Sequence, residues 1–318
     1  MEVPAVERPP PFLVVVADDG GVDVARNRGI VDAVRRGLVR AVSVLACGEA
    51  LEDLAARLRD VDGDERPEVG LHLCLTEGAA AAGPAAGLTD ASGRFVCNKR
   101  ALWERALAGD VPAEAVQSES RAQIARLAAA GLPPVRVDGH QHVHLLPGVR
   151  DGLAAALDEV PAIRWVRLGA PVLAAHGRQA TFPRLPAGRV ADDLAQAHAR
   201  GHVAQAAFGT LRRECARLLS TGRRSADALA GLDLVTAPNP AALRREIEAA
   251  VRTAPHGVIE LMTHPGDCED ESVPFSADPA RSAEKDALCG ATLRDLLAEL
   301  GVLHGAFADA ERRGGPTA

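Results

Sequence analysis

Four polar clusters in this sequence stand at or inside short apolar runs, and their side chains are of the types that hold cations and move protons. Asp18-Asp19 directly follows the run Phe12 to Ala17, FLVVVA. Two adjacent carboxylates ending a buried strand repel each other and lose hydration, so a cation or a shared proton is needed nearby. A capping or turn pair is the simpler alternative, because Gly20-Gly21 follows at once. His72 sits between leucines in Gly70-Leu71-His72-Leu73, where a satisfied core histidine competes with a ligand.

The third cluster is Asp138-Gly139-His140-Gln141-His142-Val143-His144. If it stays extended, His140, His142 and His144 project to one side, because side chains alternate along a strand. Imidazole is the commonest metal ligand, and a carboxylate such as Asp138 can fix its tautomer by taking the other ring N–H. A surface histidine tract would bind metal adventitiously, but this one follows a strand in mid-chain, which favours a built site. The fourth cluster is Glu260 to Gly266, with His264 ahead of a Pro265-Gly266 turn, and a plain turn histidine is its ordinary alternative. One carboxylate with two histidines leaves open positions for water and substrate, the pattern of a catalytic metal site.

The elements that must position these clusters read as alternating strands and helices. Apolar runs at Phe12–Ala17, Ala41–Ala46, Val69–Leu75, Val135–Asp138, Ile163–Leu168 and Val258–Met262 predict strands. Amphipathic stretches predict helices over Val24–Arg36 (capped by Asp23 and stopped by Gly37), Ala50–Arg59, Ala101–Ala108, Ala113–Ala130, Ala241–Arg252 and Ala287–Leu300. This alternation gives an α/β fold with a mostly parallel sheet, whose sites form beyond the C-terminal strand ends. A Gly- and Ala-rich loop runs from Thr76 to Asn98. From Gly169 to Pro240 the pattern loosens into Ala/Arg-rich sequence with a helical bias. One domain over residues 12–308 is expected, with a disordered leader at 1–11 and a frayed tail at 309–318.

Composition narrows the partners. The 318 residues are 47% hydrophobic, enough for a large core, and the net charge of −7 disfavours nucleic acid and anionic membrane, which reward basic surfaces. The six cysteines form no CxxC pair, so reduced thiols in a cytoplasmic setting are expected. The proline-rich N-terminus lacks the apolar core of a signal peptide, and no run approaches a membrane span.

Taken together, the clusters resemble those of the YdjC-like carbohydrate deacetylases of the chitooligosaccharide deacetylase type. The family motifs Ala-Asp-Asp-Phe-Gly, Gly-Leu-His, Asp-Gly-His-Gln-His-Val-His and His-Pro-Gly correspond to Ala17 to Gly21, Gly70 to His72, Asp138 to His144 and His264 to Gly266. Arg28 to Ala33 and Ala41 to Leu45 also follow the family pattern, so the resemblance spans Phe12 to Gly266. It implies a distorted, TIM-barrel-like (β/α) barrel holding one divalent cation, magnesium or zinc, and no organic cofactor. It implies Asp19, His72 and His140 as metal ligands and Asp18 as general base. His264 would be the acid for the leaving amine, and Arg167, His142 and His144 substrate-binding residues. The implied reaction is hydrolysis of the acetamide of an N-acetylated mono- or oligosaccharide to acetate and a free amine; a homodimer is compatible with it.

Two departures stand out. Gly20 replaces the family phenylalanine, which suggests a wider cleft beside the metal, and residues 169–229 match poorly. With 3% aromatic residues, only Trp103 and Trp165 are tryptophans available to stack on a sugar. Two rival readings keep the fold: a metal-dependent hydrolase of another amide or an ester, and a catalytically silent binding or scaffolding protein.

Overall fold

The computed structural model describes residues 8–172, 211–232, 234–235, 238–268 and 277–313. Among the described residues nine strands form one sheet: β1 (Phe12–Gly20), β2 (Val39–Val44), β3 (Glu68–Leu73), β4 (Arg136–Gly139), β5 (Trp165–Val166), β6 (Ala170–Pro171), β7 (Ala228–Ala230), β8 (Val258–Thr263) and β9 (Leu303–His304). Their order is β5-β4-β3-β2-β1-β8-β7-β6, with β9 beside the start of β1, and every pairing among them is parallel. A parallel bridge between Trp165 and Arg224, just ahead of β7, draws the two ends of the sheet together. The result is a distorted α/β barrel: the parallel α/β sheet that the alternating pattern predicts, closed in the way the family resemblance implies.

Helices α1 (Val24–Arg36), α2 (Leu51–Arg59), α3 (Lys99–Ala108), α4 (Ala113–Ala129), α5 (Val149–Leu157), α6 (Pro240–Thr253), α7 (Ala280–Cys289), α8 (Ala291–Glu299) and α9 (Phe307–Arg313) flank the sheet. The Asp23 carboxylate accepts the Arg26 N–H to start α1, and the Gly37 N–H donates to the Ala33 carbonyl at its end.

The alternation of strand side chains divides the core in two. Leu13, Val15 and Ala17 face the helices and join a large outer layer with Ile30, Leu54 and Leu297. Phe12, Val14 and Val16 face inward and meet Ala41, Trp165, Phe307 and Ala310 at the floor of the barrel. The same inward parity continues to Asp18 on β1.

Several sequence expectations shift. The single helix over 287–300 is two helices, because Gly290 adopts an extended conformation between α7 and α8. Where a tail was expected from 309, α9 continues to Arg313: both Glu68 carboxylate oxygens accept backbone N–H groups at its start, and Phe307 packs on Trp165. Within the poorly matching 169–229, β6, two short 3-10 turns and β7 are found, while 173–210 lie outside the described residues. Trp165 is committed to the barrel floor, its indole N–H donating to Glu311 at 2.7 Å, so it does not reach the cleft.

Candidate active site

Strand alternation brings Asp18, Ser43, His72, Asp138, Arg167 and Glu260 into the barrel interior above the apolar floor. There they form one polar lattice, each side chain closed to solvent. Arg167 grips Asp18 with both terminal nitrogens, at 2.6 and 2.7 Å, donates from Nε to Glu260 at 2.7 Å and approaches Asp138 at 3.0 Å. Arg136, entering from the start of β4, bonds Ser43, Asp138 and Glu260 at 2.6–2.7 Å. Gly70 on β3 makes room for it: a Cβ there would lie 2.8 Å from Arg136 Cγ. Two guanidinium groups thus offset two of the three carboxylate charges, and the His72 ring lies against Asp138, since buried charges require partners.

Asp19 stands one residue further along. Its φ of +63° is in the left-handed region, unusual for a residue with a side chain, so the chain turns abruptly at the end of β1. That turn directs its carboxylate to the histidines. His72 Nε2 lies 3.2 Å and His140 Nδ1 3.0 Å from the same oxygen, Asp19 Oδ1. On its other side His72 Nδ1 contacts Asp138 at 2.6 Å. Arg26, fully buried on α1, approaches the second Asp19 oxygen at 3.6 Å.

Electrostatics follow this geometry. Burial alone would raise the Asp19 carboxyl, but hydrogen bonds with His140 and His72 hold it well below the usual carboxylate range. Burial would lower the His72 imidazole, yet the charges of Asp138 and Asp18 push it up to about 9. His264 is the opposite case: burial pushes it down to about 4 against the pull of Asp19 and Asp18, leaving it neutral at pH 7.

The histidine tract does not stay extended. After Gly139 it winds into a short 3-10 segment, His140–Leu145, kinked where Gln141 and His142 take φ of 54° and 60°. The three histidines therefore diverge. His140 faces Asp19, whereas His144 is buried beneath it with Nε2 at 3.0 Å from the Arg167 carbonyl oxygen, and His142 is half-buried. Arg167 likewise lies inside the barrel, holding Asp18. Gly20 also differs from expectation: a Cβ there would point at Leu54 and Val42, 2.9 and 3.0 Å away, between the sheet and α2. Its side-chain position faces away from the cleft because the turn at Asp19 reverses the inward parity.

Ser43, Arg136 and Glu260 carried a signal that alternation alone does not single out, a polar residue inside a buried strand. Glu77, in the loop after β3, carried none, yet its Oε1 lies 3.2 Å from His140 Nε2.

Asp19, His72 and His140 each offer one atom within 4.8 Å of the others'. Fold and site together define a parallel α/β barrel with a candidate mononuclear metal centre on its C-terminal rim. The chain belongs to the YdjC-like family, whose model, described as YdjC-like protein, matches residues 12–299. It is 34% identical to a carbohydrate deacetylase of Mus musculus over 91% of this chain and 92% of that protein. A human carbohydrate deacetylase is also 34% identical, over 93% of this chain and 90% of its own length. A chitooligosaccharide deacetylase of Enterobacter sp. (strain 638) is 35% identical over 43% of this chain and 52% of its own length. Among solved structures, a candidate cellobiose-phosphate cleavage protein from Enterococcus faecalis V583 superposes with a TM-score of 0.64 at 19% identity. It covers 94% of this chain and 98% of its own, a likeness of fold.

Proposed function

We propose that this protein is a metal-dependent carbohydrate deacetylase. It would hydrolyse the acetamide of N-acetylated sugars, chitooligosaccharides among them, to acetate and a free amine. The observation that carries this reading is the convergence of His72 Nε2 and His140 Nδ1 on one oxygen of Asp19, with Asp138 behind His72. The extended likeness to proteins named carbohydrate deacetylase supports the reaction class.

The donor set fits a divalent cation. Two imidazole nitrogens and a carboxylate make three ligands, and the Asp138 contact to His72 is the usual outer partner of a metal-bound histidine. Nitrogen donors suit zinc better than magnesium, which prefers oxygen. Such an ion supplies Lewis acidity toward a carbonyl oxygen and makes water more acidic.

The remaining chemistry belongs to the chain. Asp18 accepts the proton of the attacking water, and Arg167 holds its carboxylate in one orientation while leaving each oxygen a further lone pair. The proton released by the attacking water is the one the departing nitrogen needs. His264, neutral at pH 7, would take it up by way of Asp18 as the water attacks and pass it on as the carbon–nitrogen bond breaks. His144 acts from behind by fixing the Arg167 backbone.

The test is metal analysis of protein purified without a histidine tag, with acetate release measured on N-acetylglucosamine and diacetylchitobiose. Chelator-sensitive release restored by zinc or magnesium supports the reading. A metal-loaded protein that releases no acetate from either sugar but cleaves a simple ester would overturn the substrate assignment.

A further inference from the structure

Both candidate histidine ligands carry a carboxylate on the side away from Asp19. For His72 it is Asp138, sealed inside the barrel. For His140 it is Glu77, whose Oε1 lies 3.2 Å from His140 Nε2 and also accepts the Gln141 amide at 3.0 Å. We infer that Glu77 is a positioning residue for His140: it accepts the Nε2–H and so presents Nδ1, 3.0 Å from Asp19, to the cation. The inference rests on the proposed metal site.

The loop that carries Glu77 is anchored from three sides. The Cys74 thiol donates to the Glu77 carbonyl at 3.6 Å, the Phe95 N–H donates to the Gly78 carbonyl at 3.2 Å, and Gly78 turns the chain at φ +83°. From the facing segment, the left-handed conformation of Gln141 places its amide on the same carboxylate oxygen. Both partners of Glu77 therefore sit at the metal-facing end of the histidine tract. A neutral imidazole has two tautomers, and only the one protonated at Nε2 offers Nδ1 to a cation. When an ion takes the place of the proton that Nδ1 shares with Asp19, the acceptor at Nε2 keeps the other proton there and so holds the ring in that tautomer.

Exposure separates this role from a fold-stabilising one. The Glu77 side chain is 57% exposed while His140 is 14% exposed. A pair so open to water adds little to global stability. Removing Asp138 would strip the barrel interior of a carboxylate that two arginines need, whereas Glu77 can be changed without opening the core.

The experiment is calorimetric titration of zinc into metal-free wild type, Glu77→Ala and Glu77→Gln, with His72→Ala as the broken-site control. Loss of an outer partner of a metal histidine costs about 10–100-fold in affinity, so Glu77→Ala should weaken zinc by that factor with an unchanged unfolding midpoint. Glu77→Gln keeps an acceptor oxygen and should recover most of the loss. Wild-type affinity in Glu77→Ala would overturn the inference and leave the metal site standing. Equal losses in both variants would also overturn it, since charge rather than tautomer selection would then be at work. If wild type and His72→Ala bound zinc alike, the metal site itself would fall, and the Glu77 role with it.

Discussion

Arg167 holds both oxygens of Asp18, at 2.6 and 2.7 Å, with neither side chain open to solvent. The pair joins a residue from the end of β1 to one just past β5, across the width of the barrel. Through its Nε and its contact to Asp138, the same guanidinium also ties the carboxylate behind His72 to Glu260 on β8. The Asp18 pair and the Asp138–His72 pair therefore share one cation, Arg167.

Losing that cation should destabilise the fold as well as the site. Arg167→Met leaves Asp18 without its bidentate partner and Asp138 and Glu260 with Arg136 as their remaining guanidinium, and breaking a buried pair in this way costs about 3–5 kcal/mol. Denaturant unfolding should show a loss of that size, with Arg167→Lys retaining part of it.

The adjacent aspartates should separate by phenotype. Asp18→Asn should keep the metal and fold but lose about 10²–10⁴-fold in kcat, the usual worth of a general base. Asp19→Asn, His72→Ala and His140→Ala should instead lose metal, read by elemental analysis alongside circular dichroism. A reversed pattern for the two aspartates would exchange their roles.

Gly20→Phe should act on packing. The ring would enter the space occupied by Leu54 and Val42, and overpacking of this kind costs about 1–3 kcal/mol. Leu54→Ala in the same chain should relieve part of the loss in thermal unfolding, and the ratio of kcat/KM for mono- and oligosaccharide should stay unchanged.

Glu284 should make stability depend on pH. It lies buried on α7 beside Arg281 at 3.1 Å, and burial pushes it up to about 7 from the ordinary 4.5, against the charge of Arg281. The folded chain thus binds a proton that the unfolded chain releases between these values. Its stabilising share is full below about 4.5 and is lost as pH rises through about 7. Unfolding free energies of wild type and Glu284→Gln across that range should differ in slope, with wild type losing more as pH rises.

The sequence by itself predicted β1 to β5 and β8 and the parallel α/β class but not β6, β7 or β9. Its resemblance to the family pointed to the barrel and to the candidate residues Asp18, Asp19, His72, His140 and His264. Runs such as FLVVVA can only be buried, and polar residues ending them must meet at the strand-end rim. Alternation along a strand is local, so its consequences are legible without a partner. Tertiary structure decided what each side chain faces. The left-handed turn at Asp19 sent Gly20 outward, and the kink at Gln141 and His142 split the histidine tract. Closure of the barrel drew Arg167 inward to Asp18 rather than to the cleft. Glu77 became a neighbour of His140 across 63 positions of sequence. These relations depend on the register and curvature that pack one strand against another, and a one-dimensional pattern carries no record of that geometry.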